Sequence, residues 1–391
     1  MSATAPSASY VSGRRAFAEM MITGGATLLF YPLSWGLRKV FDPGMTEYHI
    51  SFFFFYLAWV INDPHFAVTY LLFYRDIKKR ALSPETPLVQ RARWIFSGVI
   101  APIALITWGI IAIRMRSAVV MGAQVQLMYM LVGWHYVKQG FGVVNVLGAR
   151  QGFRLDTWER RAILFHCFAG WAYAWASPAS PPRDFEEKGV IYTGIAHPRW
   201  LELASLTALV ISCVGLVAVV VLRKKRTGKF MPFSPVVGLL MSIWAWTIFS
   251  GADPLVRYAI PALHSIQYLF FVYLLGKNKA LAEEGAPKFG RPVAVRLAFL
   301  AMGALALGAI LFHFLPEFLD LAFWKKTPEG DVPDPIGDTP FFAAVFTFVN
   351  VHHYFMDHVI WRRENPETKY LQDVPKKPAP ALAAVPERLA A

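Results

Sequence analysis

Charge is scarce in this chain. Asp, Glu, Lys and Arg make up 17% of its 391 residues, against about a quarter in an ordinary soluble domain. That shortage excludes a disordered polyelectrolyte, and no heptad or collagen period is present. Cysteine is scarcer still. Cys167 and Cys213 both sit in apolar runs, so neither a disulfide scaffold nor a thiolate metal site can be built from them. Fingerprints for flavin, nicotinamide and iron–sulfur clusters are missing, so any reductant must come from another protein. No internal repeat is visible, which speaks against an inverted-repeat transporter.

Apolar residues are abundant, at 55% of the chain. Ten stretches approach or exceed the roughly 20 residues that a bilayer core requires. They lie at 16–36, 48–74, 94–113, 118–148, 162–177, 201–222, 233–250, 257–276, 293–315 and 340–361. The expected fold is therefore an all-α polytopic integral membrane protein with about ten transmembrane helices. The first stretch is bounded by Trp35, Arg38 and Lys39 and lacks a small-residue cleavage site, so it reads as a span, not a signal peptide.

The 39 Lys and Arg fix an orientation. With the N-terminus inside, 28 fall on cytoplasmic segments, 10 on external ones, and Lys138 lies within the fourth span. This bias predicts that both termini are cytoplasmic. It also accounts for the net charge of +13 through contact with anionic lipid, with no nucleic acid required. A bacterial cytoplasmic membrane is the expected location. Residues 1–365 read as one helical bundle with external loops 178–200 and 316–339. Residues 366–391 read as a disordered cytoplasmic tail.

Several polar residues sit where hydrocarbon makes them costly, by about 2.5–3.5 kcal/mol for an Asp or Lys at the centre. The second span contains Asn62, Asp63, Pro64 and His65. The fourth contains His135, Tyr136, Lys138 and Gln139, the eighth His264 and Gln267, and the tenth Asn350, His352, His353, Tyr354, Asp357 and His358. All four spans run the same way. His65, His135, His264 and His353 lie about 13–23 Å from the cytoplasmic ends at 1.5 Å per residue. They can share one layer, which is how a metal centre is built in a bundle core. His353 and Asp357 share a helix face, as do His135 and Gln139, while His352 points about 100° away from His353. Pro64 is expected to kink its helix.

Blander readings apply elsewhere. His166 and His313 stand alone and read as hydrogen-bonded core residues, and His49 and His197 as interfacial. Asp63 can cap a broken helix. Lys138 can pair with Asp63 or Asp357. For the clustered histidines, imidazole suits iron, copper, zinc or nickel, and a nearby carboxylate hardens the site. The metal set is His65, His135, His264, His352, His353 and His358, holding one or two non-haem iron ions, with zinc, copper or no metal as alternatives. Asp357, Tyr136 and Tyr354 are the catalytic candidates. Asn62, Asp63, Lys138, Gln139, Gln267 and Asn350 are expected to orient the ligands or relay protons. A b-type haem is less suited, because no span pairs histidines 13–14 residues apart as stacked haems require.

The motifs NDPHF at 62–66, WHYVKQGFG at 134–142, HSIQY at 264–268 and NVHHYFMDH at 350–358 resemble those of the histidine-rich integral-membrane oxygenases. These include the Brp/Blh-like bacterial β-carotene dioxygenases and, more distantly, membrane fatty-acid desaturases and hydroxylases. The resemblance implies one iron held by His65, His135, His264 and His353. The desaturase boxes HxxxH and HxxHH are missing, and this chain has more spans than either family.

Two functions follow. One is a metal-dependent oxidoreductase for an apolar small-molecule substrate that reaches the site from the bilayer, served by a separate electron donor. The other is a proton-coupled transporter or proton relay built from the same Asp, His and Lys residues. A structural subunit of a membrane complex is a third possibility.

Overall fold

The computed structural model describes residues 13–177, 184–284, 292–325 and 334–372, which are mostly helical. In chain order the elements are α1 (Gly13–Met20), α2 (Thr27–Val40), α3 (Pro43–Ala58), α4 (Asn62–Leu82), α5 (Leu88–Ile95), α6 (Ala101–Arg114), α7 (Ala118–Arg150) and α8 (Thr157–Ala176). Then come the strands β1 (Asp184–Glu187) and β2 (Val190–Thr193), followed by α9 (Arg199–Thr227), α10 (Phe233–Leu240), α11 (Pro254–Glu284), α12 (Val293–Ala309), α13 (Leu315–Phe323) and α14 (Pro340–Ile360). Short π-helical turns continue α1, α5, α10 and α12.

Local chemistry sets several boundaries. The Asp42 carboxylate accepts from the Met45 N–H, and Pro43 occupies the first turn of α3, where its missing N–H costs nothing. Asp156 and Glu159 form a capping box at α8. Gly228 ends α9 with φ of 72°, a left-handed conformation that glycine adopts without strain. Between α1 and α2 the rod bends by 60°. Gly24 there has φ of 135°, which frees backbone groups that other elements must satisfy.

Among the described residues, four helical rods are long and apolar enough to cross a membrane, and a fifth if α1 and α2 count as one span. They are 88–114, 199–227, 254–283 and 293–323. The windows in α9 and in the α12–α13 rod are only 22% and 17% buried, whereas that in α11 is 67% buried. Apolar side chains on the first two therefore face outward, and α11 is an inner helix. The other inner helices, α4, α7 and α14, fall short of this apolar test because they carry the histidines and their polar companions.

Three sequence expectations need correction. The stretch 48–74 is two helices, α3 and α4, interrupted at 59–61. Pro64 is the third residue of α4 and causes no kink, because N–H groups in a first turn have no helical partner to lose. Residues 184–193, inside the expected loop 178–200, form a two-stranded antiparallel hairpin on a fold that is otherwise all-α, as expected. Its turn places Lys188 at φ 51° and Gly189 at 81°, the left-handed pair that tight hairpins favour. Val190 and Tyr192 face inward against α7. The expected tail at 366–391 is ordered at its start, where Pro366–Leu371 is a 3-10 helix. The Asn278 side chain donates to the carbonyls of Tyr370 and Gln372, at 2.9 Å each. Residues 373–391, and the loop segments 178–183 and 326–333, lie outside the described residues.

Packing of α14 against α4 and α7, and of α11 against α4, brings the histidine-bearing helices together. An apolar cluster that includes Phe73, Trp94, Tyr268 and Met356 fills one side of this core. Another, with Phe66, Val125, Tyr192, Phe312 and Tyr354, fills the side toward the hairpin. The histidine layer lies between them and is sealed by side chains from both.

Candidate metal centre

His65 on α4, His135 on α7, His264 on α11 and His353 on α14 are all buried, none more than 3% exposed. Their rings pack around one another. Centroids are 4.5 Å apart for His65–His353, 5.0 Å for His65–His264, 4.8 Å for His135–His264 and 4.9 Å for His135–His353. His135 is central. Its Nε2 lies 3.1 Å from His264 Nε2 and 3.4 Å from His353 Nε2. Ring nitrogens of His65, His135 and His353 all lie within 4.8 Å of one another.

Counting protons shows why this crowd is unusual. A neutral imidazole carries one N–H and one lone pair. His135 Nδ1 faces Asp357 Oδ2 at 3.5 Å, so its N–H belongs there and its Nε2 offers a lone pair. His65 Nδ1 meets the Ser265 hydroxyl at 3.2 Å, and its buried Nε2 has no hydrogen-bond partner. His264 Nδ1 and His353 Nδ1 are also buried without one. Each such atom costs about 1–3 kcal/mol. A shared cation relieves the crowding at Nε2 and takes the free nitrogen of His65. The spacing fits this: two nitrogens each 2.0–2.1 Å from one metal stand about 2.9–3.4 Å apart at right-angled to tetrahedral geometry.

A second layer of side chains orients the first. Tyr268 donates its hydroxyl to Asp357 Oδ1 at 2.8 Å, and Trp361 Nε1 donates to the same oxygen at 2.6 Å. Thr69 Oγ1 sits 2.6 Å from the Tyr268 hydroxyl. Asp357 is thus held in place with its other oxygen toward His135. Ser265 also donates to Asn62 Oδ1 at 2.9 Å, tying α11 to the start of α4. Gln139 Nε2 donates to the His264 carbonyl and to Gln267 Oε1, at 3.1 and 2.7 Å. Gln267 Nε2 donates to the carbonyl of Thr23 at 2.5 Å, satisfying backbone freed at the bend before α2. Tyr136 packs its ring 4.3 Å from His264, and Tyr354 packs 4.8 Å from His135. The Tyr354 hydroxyl donates to Asn350 Oδ1 at 3.2 Å.

Four expected roles do not fit. His352 is no ligand: its Nε2 meets the carbonyl of Ser97 at 2.8 Å and its Nδ1 the Tyr70 hydroxyl at 3.0 Å, so both nitrogens are engaged. His358 is no ligand either, because it turns about 100° from Asp357 and packs its ring against Trp134 at 5.2 Å. Lys138 pairs with neither Asp63 nor Asp357. Its ammonium lies over the rings of Phe141 and Phe168, 5.7 and 5.9 Å from their centres. Asp63 stands apart from the centre. It is bound at 2.8 Å to His313 Nε2, whose ring stacks on Trp59 at 3.5 Å. His313 is therefore half of a carboxylate–imidazole pair. By contrast His166 is an ordinary core histidine, bonded to Ser212 at 2.9 Å and Trp244 at 3.2 Å.

Thr69 and Trp361 escaped the sequence reading. Each lies four residues after a residue already singled out, His65 and Asp357, and so on the same helix face. That spacing was the available signal.

No known protein family, curated protein or solved structure matches this chain. The resemblance to membrane oxygenases therefore stands on the four motifs alone.

Proposed function

We propose that this chain is a ten-span membrane protein with both termini cytoplasmic, and that its four histidines hold a transition metal, non-haem iron before zinc or copper. On this reading it is an oxidoreductase for a lipid-soluble substrate. One observation carries the proposal: His135 Nε2 lies 3.1 and 3.4 Å from the Nε2 atoms of His264 and His353, and ring nitrogens of His65, His135 and His353 lie within 4.8 Å of one another. An all-imidazole set suits iron, copper and zinc alike, and the choice of iron rests on the resemblance of the motifs.

When bound, the metal supplies Lewis-acid and redox chemistry for activating dioxygen. The chain's own residues do the rest. Asp357 holds the Nδ1 proton of His135, which keeps the Nε2 lone pair directed inward. Ser265 does the same for His65. Phe66, Tyr136, Tyr268 and Tyr354 enclose the centre in rings and exclude water. A dry centre among outward-facing apolar helices suits a substrate that arrives through the bilayer.

Metal analysis of detergent-purified protein tests the reading. We expect about one metal ion per chain, lost in the His135→Gln and His264→Gln variants. Wild-type protein that stays metal-free after incubation with Fe(II), Zn(II) and Cu(I) sinks it. A second reading is a proton-coupled transporter, favoured by the non-helical backbone at Thr23 and Gly24, since broken helices often mark transport sites. Metal-free protein whose proteoliposomes move solute with a pH gradient would establish that alternative.

A further inference from the structure

Arg93 on α5, Lys138 in the middle of α7, and His358 and Arg362 at the end of α14 are cations that form no ion pair among the described residues. Lys138 lies one turn after Trp134 on α7, whose ring packs on His358 at 5.2 Å, and Arg362 lies one turn after His358, just past the end of α14. His358 lies within the fields of Arg362, Lys138 and Arg93, the last on α5. Arg362 in turn feels Arg93 and, with opposite sign, the exposed Glu364. All four side chains are half-buried. Among the described residues none of the four makes a side-chain hydrogen bond or an ion pair, and the Nε of Arg362 is buried without a partner.

Several other buried or half-buried cations do pair with a carboxylate, although Arg80, Lys188 and Lys277 do not, so it is the gathering of these four that sets them apart. Arg150 pairs with Glu19 at 3.0 Å, Arg223 with Glu159 at 2.5 Å, and Lys279 with Glu367 at 2.6 Å. An excess of positive charge at a cytoplasmic membrane surface is ordinary. Like charges gathered within a helical crevice are not, because each loses hydration and repels its neighbours. Such a group is stable when an anion sits among it.

The surroundings say what carries the anion. Trp134 packs on His358 at 5.2 Å. Phe141 lies beneath both Lys138 and Arg160, 5.7 and 5.6 Å from its centre, and Phe168 adds a third ring beside Lys138. Phe96 next to α5 is exposed. The cations thus border half-buried aromatic rings and an apolar outer surface, which suits a molecule with an anionic head and apolar chains. Two guanidiniums and an ammonium match the several acceptor oxygens of a phosphate.

We propose that Arg93, Lys138, His358 and Arg362 bind the phosphate head group of an anionic lipid at the α7–α14 seam. The site does not depend on the metal. Its occupant neutralises charges on the two helices that carry His135, His353 and Asp357, and so holds those helices together.

Native mass spectrometry on delipidated protein in neutral detergent tests this. The probes are dioleoylphosphatidylglycerol, dioleoylphosphatidylcholine and inorganic phosphate. We expect one tightly held phosphatidylglycerol, displaced by neither of the others. Lys138→Met and Arg362→Gln should each weaken it about tenfold, as loss of a charge-assisted hydrogen bond does. Arg93→Gln, on a side chain that makes no hydrogen bond, is the variant to use if those two fail to fold. Equal binding of phosphatidylcholine, or wild-type affinity in folded variants, would overturn the proposal. Phosphate binding as tightly as the lipid would overturn the lipid assignment, leaving a site for a soluble anion. Metal content measured on the same samples keeps this outcome separate from the fate of the histidine centre.

Discussion

His135 turns one ring nitrogen to Asp357, at 3.5 Å, and the other to His264 and His353. The carboxylate thereby decides which nitrogen of the central ring carries the proton. Asp357→Asn keeps an oxygen for Tyr268 and Trp361 but offers His135 an amide N–H in place of an acceptor. The favoured tautomer of His135 then reverses and puts a proton where a ligand lone pair is needed. We expect a folded protein whose metal affinity or turnover falls about 10–100-fold. Unchanged metal per chain, measured by mass spectrometry of the elements, would remove Asp357 from the centre.

His352 is the internal control. Both its nitrogens are spent on Tyr70 and Ser97, so His352→Gln should leave metal content untouched. Stability should fall by about 1–3 kcal/mol, because a buried hydroxyl or carbonyl loses its partner. Thermal unfolding and metal analysis of one preparation read both quantities.

Asp63 and His313 should act as a pair that serves the fold. Asp63→Asn and His313→Gln are each expected to lower the thermal midpoint, and the double variant should cost less than the two effects added. Metal content should not change. Strict additivity would show that the 2.8 Å contact contributes no coupling.

Gly308 on α12 touches the start of α4. A Cβ there would lie 2.9 Å from the carbonyl carbon of Asp63 and 3.1 Å from Pro64 N, both backbone atoms that cannot swing aside. Gly308→Ala should destabilise the protein by about 1–3 kcal/mol through overpacking. A variant as stable as wild type would mean that the two helices separate freely.

Orientation can be read directly. A reporter fused after Arg226 should be cytoplasmic, and one fused near Gly330 should be external. The opposite result at either point would invert the topology derived from Lys and Arg.

Much of this architecture was legible because bilayer length and helical rise are strong constraints. All ten apolar stretches are largely helical, although the first is bent and the second is split in two, and equal depth picked out the four residues whose rings stand together. Direction around the helix axis was less legible. His352, His353 and His358 occupy one short segment, yet only His353 faces inward, since each residue turns the face by 100°. His313 was read as solitary because its partner, Asp63, is 250 residues away. The break at 59–61 was expected nearby but misplaced. Pro64 marked the place, but the chain breaks before the proline and uses it inside a first turn. The hairpin at 184–193 is short, and its alternation is confined to Val190–Thr193, too few residues to outweigh a loop reading.

The bend after α1 has a consequence for how the protein is made. The carbonyl of Thr23 is satisfied by Gln267, which is synthesised 244 residues later. Until α11 leaves the ribosome, the first helix holds an exposed polar backbone group in its apolar stretch, and such groups are costly in lipid. The N-terminal helix can enter the membrane early, but it reaches its final bent form only after the eighth apolar segment arrives. Chains truncated before Gln267 should therefore be retained by the insertion machinery or degraded, even though they contain every residue of the first seven.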